Sequence, residues 1–267
     1  MALGAEGSCP WQLPAKTAPR GGRCPGHAVS RVEEPPDGQA VARGMKTIFK
    51  DRNEAAQGLA ARLADLHLPG QRIVVLALPR GGVPIGATIA RRLNAPLDLL
   101  LVRKIGAPWQ RELAVAAVVD GEKHELVIDE ANAAATGASR AYIDEQARIE
   151  WQEIERRRAL YLRGRAPVPV EGATVIVVDD GIATGTTVRA ALKALRRRRV
   201  ARTVLAVPVA AHETLLGLRH DVDTIVCLAE PYPFRAIGLH YADFHQLSDD
   251  EVIAALDSVA APPSQEA

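Results

Sequence analysis

The sequence predicts a doubly wound α/β fold: a mainly parallel sheet with helices on both faces and small capping elements. Three observations carry that expectation. Apolar, β-branched runs recur at Ile73–Leu78, Leu97–Val102, Thr174–Val178, Thr203–Val209 and Thr224–Leu228, continuous as in strands buried on both faces. Helical patterns fall between them, the order that a parallel sheet with crossover helices needs. Three strand ends then carry unusual loops, Pro79–Gly86, Arg103–Glu112 and Asp179–Thr187. In such a sheet, ligands bind at the carboxyl ends of the strands.

Residues 1–44 hold six of the 18 prolines and seven of the 21 glycines, with almost no apolar periodicity. Such a segment cannot bury enough surface to offset its ordering entropy, so it is expected to be disordered. The functional domain is expected to span 45–267, opening near Met45, with the preceding segment dispensable. The first helix is expected over Asp51–Leu66, with Asp51 as its cap. Val83–Leu93 reads as helix. Leu113–Val119 and Glu125–Ile128 read as short strands around the turn Asp120–Gly121. Ser139–Leu162 is a long charged helix and a candidate dimer face. Thr186–Leu195, His212–Arg219 and Asp249–Leu256 complete the helices.

Hydrophobic residues make up 48% and charged residues 24%, at a net charge of +1. This is an ordinary globular balance, and it gives no footprint for a nucleic acid or a membrane surface. The run Arg196–Arg199 reads as the solvated end of a helix. The three cysteines, Cys9, Cys24 and Cys227, are too few and too scattered for a disulfide framework, which favours a reducing cytoplasm. Cys9, Cys24 and His27 offer only three metal donors and read as a chance cluster. Cys227, inside an apolar run, is expected in the core. No stretch of 18 apolar residues exists, and the N-terminus has no apolar signal core.

The loop after Thr174–Val178 is the most informative. Its strand ends in Asp179 and Asp180, followed by Gly181 and then by Ala183, Thr184, Gly185, Thr186 and Thr187 entering a helix. Small and hydroxylated residues there expose backbone N–H groups at a helix N-terminus, which makes a phosphate cradle. Two carboxylates would repel phosphate, yet as acceptors they suit the paired hydroxyls of a ribose. A sugar 5-phosphate matches both halves; an acidic helix-capping turn is the plainer alternative. In the first loop, Gly81 and Gly86 have P-loop spacing, but Ala87 stands where the lysine is needed. What remains there is Arg80 beside Gly81 and Gly82, a turn with a bidentate phosphate donor. The second loop carries Arg103 and Lys104 among chain breakers, and an exposed loop is its plain reading.

Val175–Thr187 resembles the phosphoribosyl pyrophosphate (PRPP) motif of the type I phosphoribosyltransferases: four hydrophobic residues, two acids, three variable residues and Thr-Gly-x-Thr. The resemblance implies that Asp179 and Asp180 hold the ribose hydroxyls and that Ala183–Thr187 holds the 5-phosphate. It implies pyrophosphate binding by the Arg80–Gly82 loop, and a mobile loop whose Arg103 and Lys104 meet the departing pyrophosphate. LPRGGVPIG, LVRKIGAP, VVDDGIATG and FRAIGLHYADFHQLSDDEV resemble a bacterial group described as predicted phosphoribosyltransferases. Arg111 and Ala116 stand where that group has proline and glycine. The last segment is also similar to hypoxanthine-guanine enzymes, which implies Phe234 as a stacking aromatic and Asp243 as an acid near the metal. Ala183 replaces the base-protonating Asp of those enzymes, as in adenine and uracil enzymes.

The implied reaction moves a 5-phosphoribosyl group from PRPP to a nitrogenous or other small-molecule acceptor. An oxocarbenium-like transition state needs positioning and electrostatics more than a nucleophile. Mg²⁺ is the implied cofactor, held by substrate oxygens and water more than by protein. Two rivals remain open: a non-catalytic PRPP- or nucleotide-sensing regulator on the same fold, and a hydrolase of phosphoribosyl compounds.

Overall fold

The computed structural model describes residues 47–66, 72–121 and 125–259. The expectations for residues 1–44, for Met45 and for Cys9, Cys24 and His27 lie outside the described residues.

Asp51 caps the first helix as expected, its side chain accepting from Glu54 N at 2.9 Å, and α1 runs over Arg52–Asp65. Strand β1 (Ile73–Ala77) leads through a tight turn into α2 (Gly82–Leu93), and β2 (Leu97–Leu99) follows. Strands β3 (Val102–Ala107), β4 (Gln110–Val119) and β5 (Glu125–Ile128) come next, then α3 (Glu130–Thr136) and α4 (Arg140–Leu162). The second half alternates: β6 (Thr174–Val178), α5 (Thr186–Arg197), β7 (Arg202–Val209), α6 (His212–Leu218) and β8 (Thr224–Ala229). A 3₁₀ turn (Ile237–His240) and α7 (Asp249–Asp257) close the described chain, α7 behind a capping box of Ser248 and Glu251.

The main sheet is parallel, in the order β2-β1-β6-β7-β8. Apolar side chains of β1, β6 and β7 pack on both of its faces, which is why these runs are uninterrupted. The chain leaves β1 toward β2 on one side, and β6 leads to β7 and β8 on the other. Strand order therefore reverses between β1 and β6, and their carboxyl-end loops lie side by side.

Three expectations need correction. Leu97–Val102 is not one strand. Leu97–Leu99 pairs with β1, and the chain then passes through buried Leu100 and Leu101 into a second sheet, β3-β4-β5, which is antiparallel. The apolar run is unbroken because both sheets bury it, so periodicity could not reveal the change of partner. Arg103–Glu112, expected as a loop, is the end of a hairpin: β3 pairs with β4, and only Pro108 and Trp109 lie between them. Cys227 is half-buried instead of fully buried, because β8 is an edge strand; what burial it has pushes its thiol up to about 11.

The arginines at the end of α5 are less free than a solvated run implies. Arg198 donates to Glu125 Oε1 at 2.9 Å and to the Asp120 carbonyl, while Arg199 lies 3.6 Å from Glu171. They border a cavity of about 680 Å³ between the two sheets, with Asp98, Asp120 and Arg158. Several of its charges pair with one another, as in Arg158 to Asp120 at 2.5 Å, while Asp98 accepts from the Leu99 and Val168 backbone N–H groups.

Candidate active site

The site forms where β1 and β6 end. The backbone approach there is close enough to require glycine at two positions. A Cβ on Gly82 would stand 2.5 Å from the Val178 carbonyl oxygen, and one on Gly81 would stand 1.8 Å from Asp180 Oδ2. The Arg80–Gly82 turn and the acidic pair are thus in van der Waals contact, which no sequence spacing could disclose. After the acidic pair, Ile182 forms a bridge to Ala210 beyond β7, which fixes the path of the loop. Gly185 then takes φ +72° as the N-cap of α5. Ala183 and Thr184 are exposed, Thr186 and Thr187 are half-exposed, and the Thr184 and Thr186 hydroxyls lie 3.4 Å apart. The first N–H groups of α5 have no carbonyl of their own helix to bond, so hydroxyls and backbone donors converge on one cradle.

The two carboxylates differ. Asp180 is buried, and Arg52 donates from Nε to its Oδ2 at 2.9 Å, with Nη2 of the same guanidinium also 2.9 Å from that oxygen. Burial raises the Asp180 carboxyl above its usual range while Arg52 draws it back. Among the described residues Asp179 accepts from the Asp180 backbone N–H alone, at 2.9 Å, and burial together with the Asp180 charge holds it well above the carboxylate range. Of the two, Asp180 is the one whose charged form a cation supports directly, through Arg52.

A cleft of about 430 Å³ opens beside Asp180, lined by Arg52, Arg80, Gly81, Arg157 and residues 244–247 of the capping segment. That segment is tied down from both sides. Tyr241 donates its hydroxyl to the Asp180 carbonyl at 2.7 Å, and Phe49 pairs with Tyr241. Arg80 Nη1 donates to the Leu247 carbonyl at 2.6 Å.

Of the residues singled out from sequence, Arg80, Gly81, Gly82, Asp179 and Asp180 come together, with Ala183–Thr187 continuing the same loop. Four do not join them. Arg103 donates to Glu150 on α4 at 2.7 Å, and Lys104 is exposed on β3. Phe234 packs against His240 in a tilted pair, with ring centroids 5.3 Å apart, and the aromatic that lines the cleft is Phe244. Asp243 is exposed and accepts from His245. Sequence reasoning missed Arg52 altogether. A cation at the first position of a helix opposes the helix dipole, and that local irregularity was the available signal.

Fold and site together define a doubly wound α/β protein with an anion cradle and an acidic pair at its switch point. The model of the phosphoribosyl transferase domain matches residues 45–243. Two Mycobacterium tuberculosis proteins, from strains CDC 1551 / Oshkosh and ATCC 25618 / H37Rv and both provisionally named phosphoribosyl transferases, are 43% identical over 210 residues. That match spans 79% of this chain but 46% of theirs, so the chain covers about half the length of these relatives. The crystal structure of TT1426 from Thermus thermophilus is similar at 39% identity and a TM-score of 0.69, over 78% of this chain and 97% of that one. The chain belongs to the phosphoribosyl transferase domain family.

Proposed function

We propose that the protein transfers the 5-phosphoribosyl group from PRPP to a nitrogenous small-molecule acceptor, releasing pyrophosphate. The contact between the Arg80–Gly82 turn and Asp180 carries this reading. It sets a phosphate donor beside groups suited to sugar hydroxyls, so one ligand bearing both chemistries fits. In this reading Asp180 accepts from the ribose hydroxyls and Asp179 shares them. The α5 cradle of Ala183–Thr187 holds the 5-phosphate, and Arg80 takes pyrophosphate oxygens. Arg103 and Lys104 add charge to the leaving group once the hairpin leaves α4 and closes over the cleft.

Mg²⁺ suits a donor set that is oxygen-only and small, because it keeps several waters and binds through few carboxylates. When bound it neutralises charge on the pyrophosphate. Asp179 and Asp180 stand behind the hydroxyls that would share it, while Asp243 is engaged by His245. A cytoplasmic location and a homodimer through α4 complete the proposal.

The test is pyrophosphate release from PRPP and Mg²⁺ across a panel of bases. Release that depends on one acceptor supports the transferase. Release with water alone points to the hydrolase, and tight PRPP binding with no release points to a sensing regulator.

A further inference from the structure

Arg52 breaks a local rule. It occupies the first position of α1, where the helix dipole disfavours a cation, and it is 9% exposed. Ion burial of this kind is costly unless the geometry returns it. Here every face of the guanidinium is used. Nε and Nη2 both reach Asp180 Oδ2 at 2.9 Å, Nη1 donates to the His245 carbonyl at 3.0 Å, and the Phe244 ring centroid lies 4.0 Å away. The three groups come from two distant stretches of chain: the acidic pair after β6, and two successive residues of the capping segment.

The arrangement leaves the two Asp180 oxygens unequal. Oδ2 is filled by Arg52 and packed beside Gly81, while no other described residue donates a hydrogen bond to Oδ1. A carboxylate that could otherwise rotate is thereby fixed with one acceptor atom to offer. An Arg fork is suited to this, since it sets direction as well as charge.

We propose that Arg52 is a positioning residue that acts through Asp180 on the sugar's 2,3-diol. By locking Oδ2 it aims Oδ1 at the hydroxyls, and through Phe244 and His245 it ties diol recognition to the seating of the capping segment. The consequence is selectivity for ribose 5-phosphates over 2-deoxyribose 5-phosphates. This rests on the sugar-phosphate reading given above.

The probes are ribose 5-phosphate and 2-deoxyribose 5-phosphate, titrated calorimetrically into the full chain. The wild-type chain should prefer the ribose form. Arg52→Met should cut that preference by about tenfold, the size of one lost hydrogen bond to a charged group, with little change for the deoxy sugar. Arg52→Lys should recover part of the preference. Combining Arg52→Met with Asp180→Asn should be no worse than Asp180→Asn alone, because the two act in series. Phe244→Leu, which keeps the guanidinium but removes its platform, should give a smaller loss of the same kind and serves if Arg52→Met does not fold. Equal weakening of both sugars, or losses that add to that of Asp180→Asn, would overturn the role of Arg52 and leave the binding site standing. Failure of the wild-type chain to bind either sugar phosphate would overturn the sugar-phosphate reading itself.

Discussion

The parallel switch point and the antiparallel hairpin are built on opposite terms. At the switch point, Asp180, Gly81 and Arg52 are locked by burial and by bonds from three chain segments. The β3–β4 hairpin carries its cations on an exposed end, with Arg103 held by Glu150 and the Trp109 indole N–H donating to the Thr136 carbonyl at 3.0 Å. In the proposed reaction, recognition of the donor would fall to the buried, bonded groups and charge for the leaving group to the exposed ones. The contrast divides binding from turnover, and each substitution below strikes one side of it.

The largest effect is expected from Asp180→Asn, which removes the charged acceptor from the locked side. It should lower kcat/KM by about 10²–10³-fold, on the scale of a deleted oxyanion-hole donor. Steady-state kinetics with PRPP as the varied substrate measures it, and a loss confined to kcat would break the division. Next comes Gly82→Ala. Its Cβ would meet a backbone carbonyl oxygen at 2.5 Å, so the loops must separate, at about 1–3 kcal/mol of stability with a parallel fall in PRPP affinity. Urea unfolding of the two proteins checks this.

On the side proposed to move, Lys104→Ala should reduce kcat by about tenfold while leaving PRPP binding unchanged, because Lys104 is exposed and does not line the cleft. Comparison of kcat with a calorimetric Kd decides it. The smallest effect is a gain. The folded-state pKa of Asp179 lies above the ordinary 3.8, so its contribution favours the fold below that value and is lost as pH rises through the raised one. Asp179→Asn should therefore raise Tm by about 2–4 °C at pH 7, and by nothing near pH 4, while weakening ribose binding. Thermal melts across that range would show it.

The main sheet was legible because strands buried on both faces leave continuous β-branched runs, and the Val175–Thr187 loop was legible because its chemistry is contiguous. The hairpin was not, since residues 97–102 stay apolar while changing sheets. Helix α3 was missed: Glu130–Thr136 is short and alanine-rich, with no apolar face to show a period. Arg52 was illegible for another reason. A cation at the start of a helix was a weak local sign, but its partner stands 128 residues away and the local pattern cannot name it. Phe244 escaped in the same way, since a ring that serves as platform for a distant guanidinium looks locally like any core aromatic.

That span has a consequence for how the protein is made. The acidic loop leaves the ribosome before the Tyr241 hydroxyl that holds the Asp180 carbonyl, which follows 61 residues later. A growing or prematurely ended chain therefore carries the loop without its clasp. If the loop binds sugar phosphate as proposed, an aborted translation product that ends before Tyr241 would lack the bond that holds the Asp180 carbonyl and would be a poor sink for the metabolite.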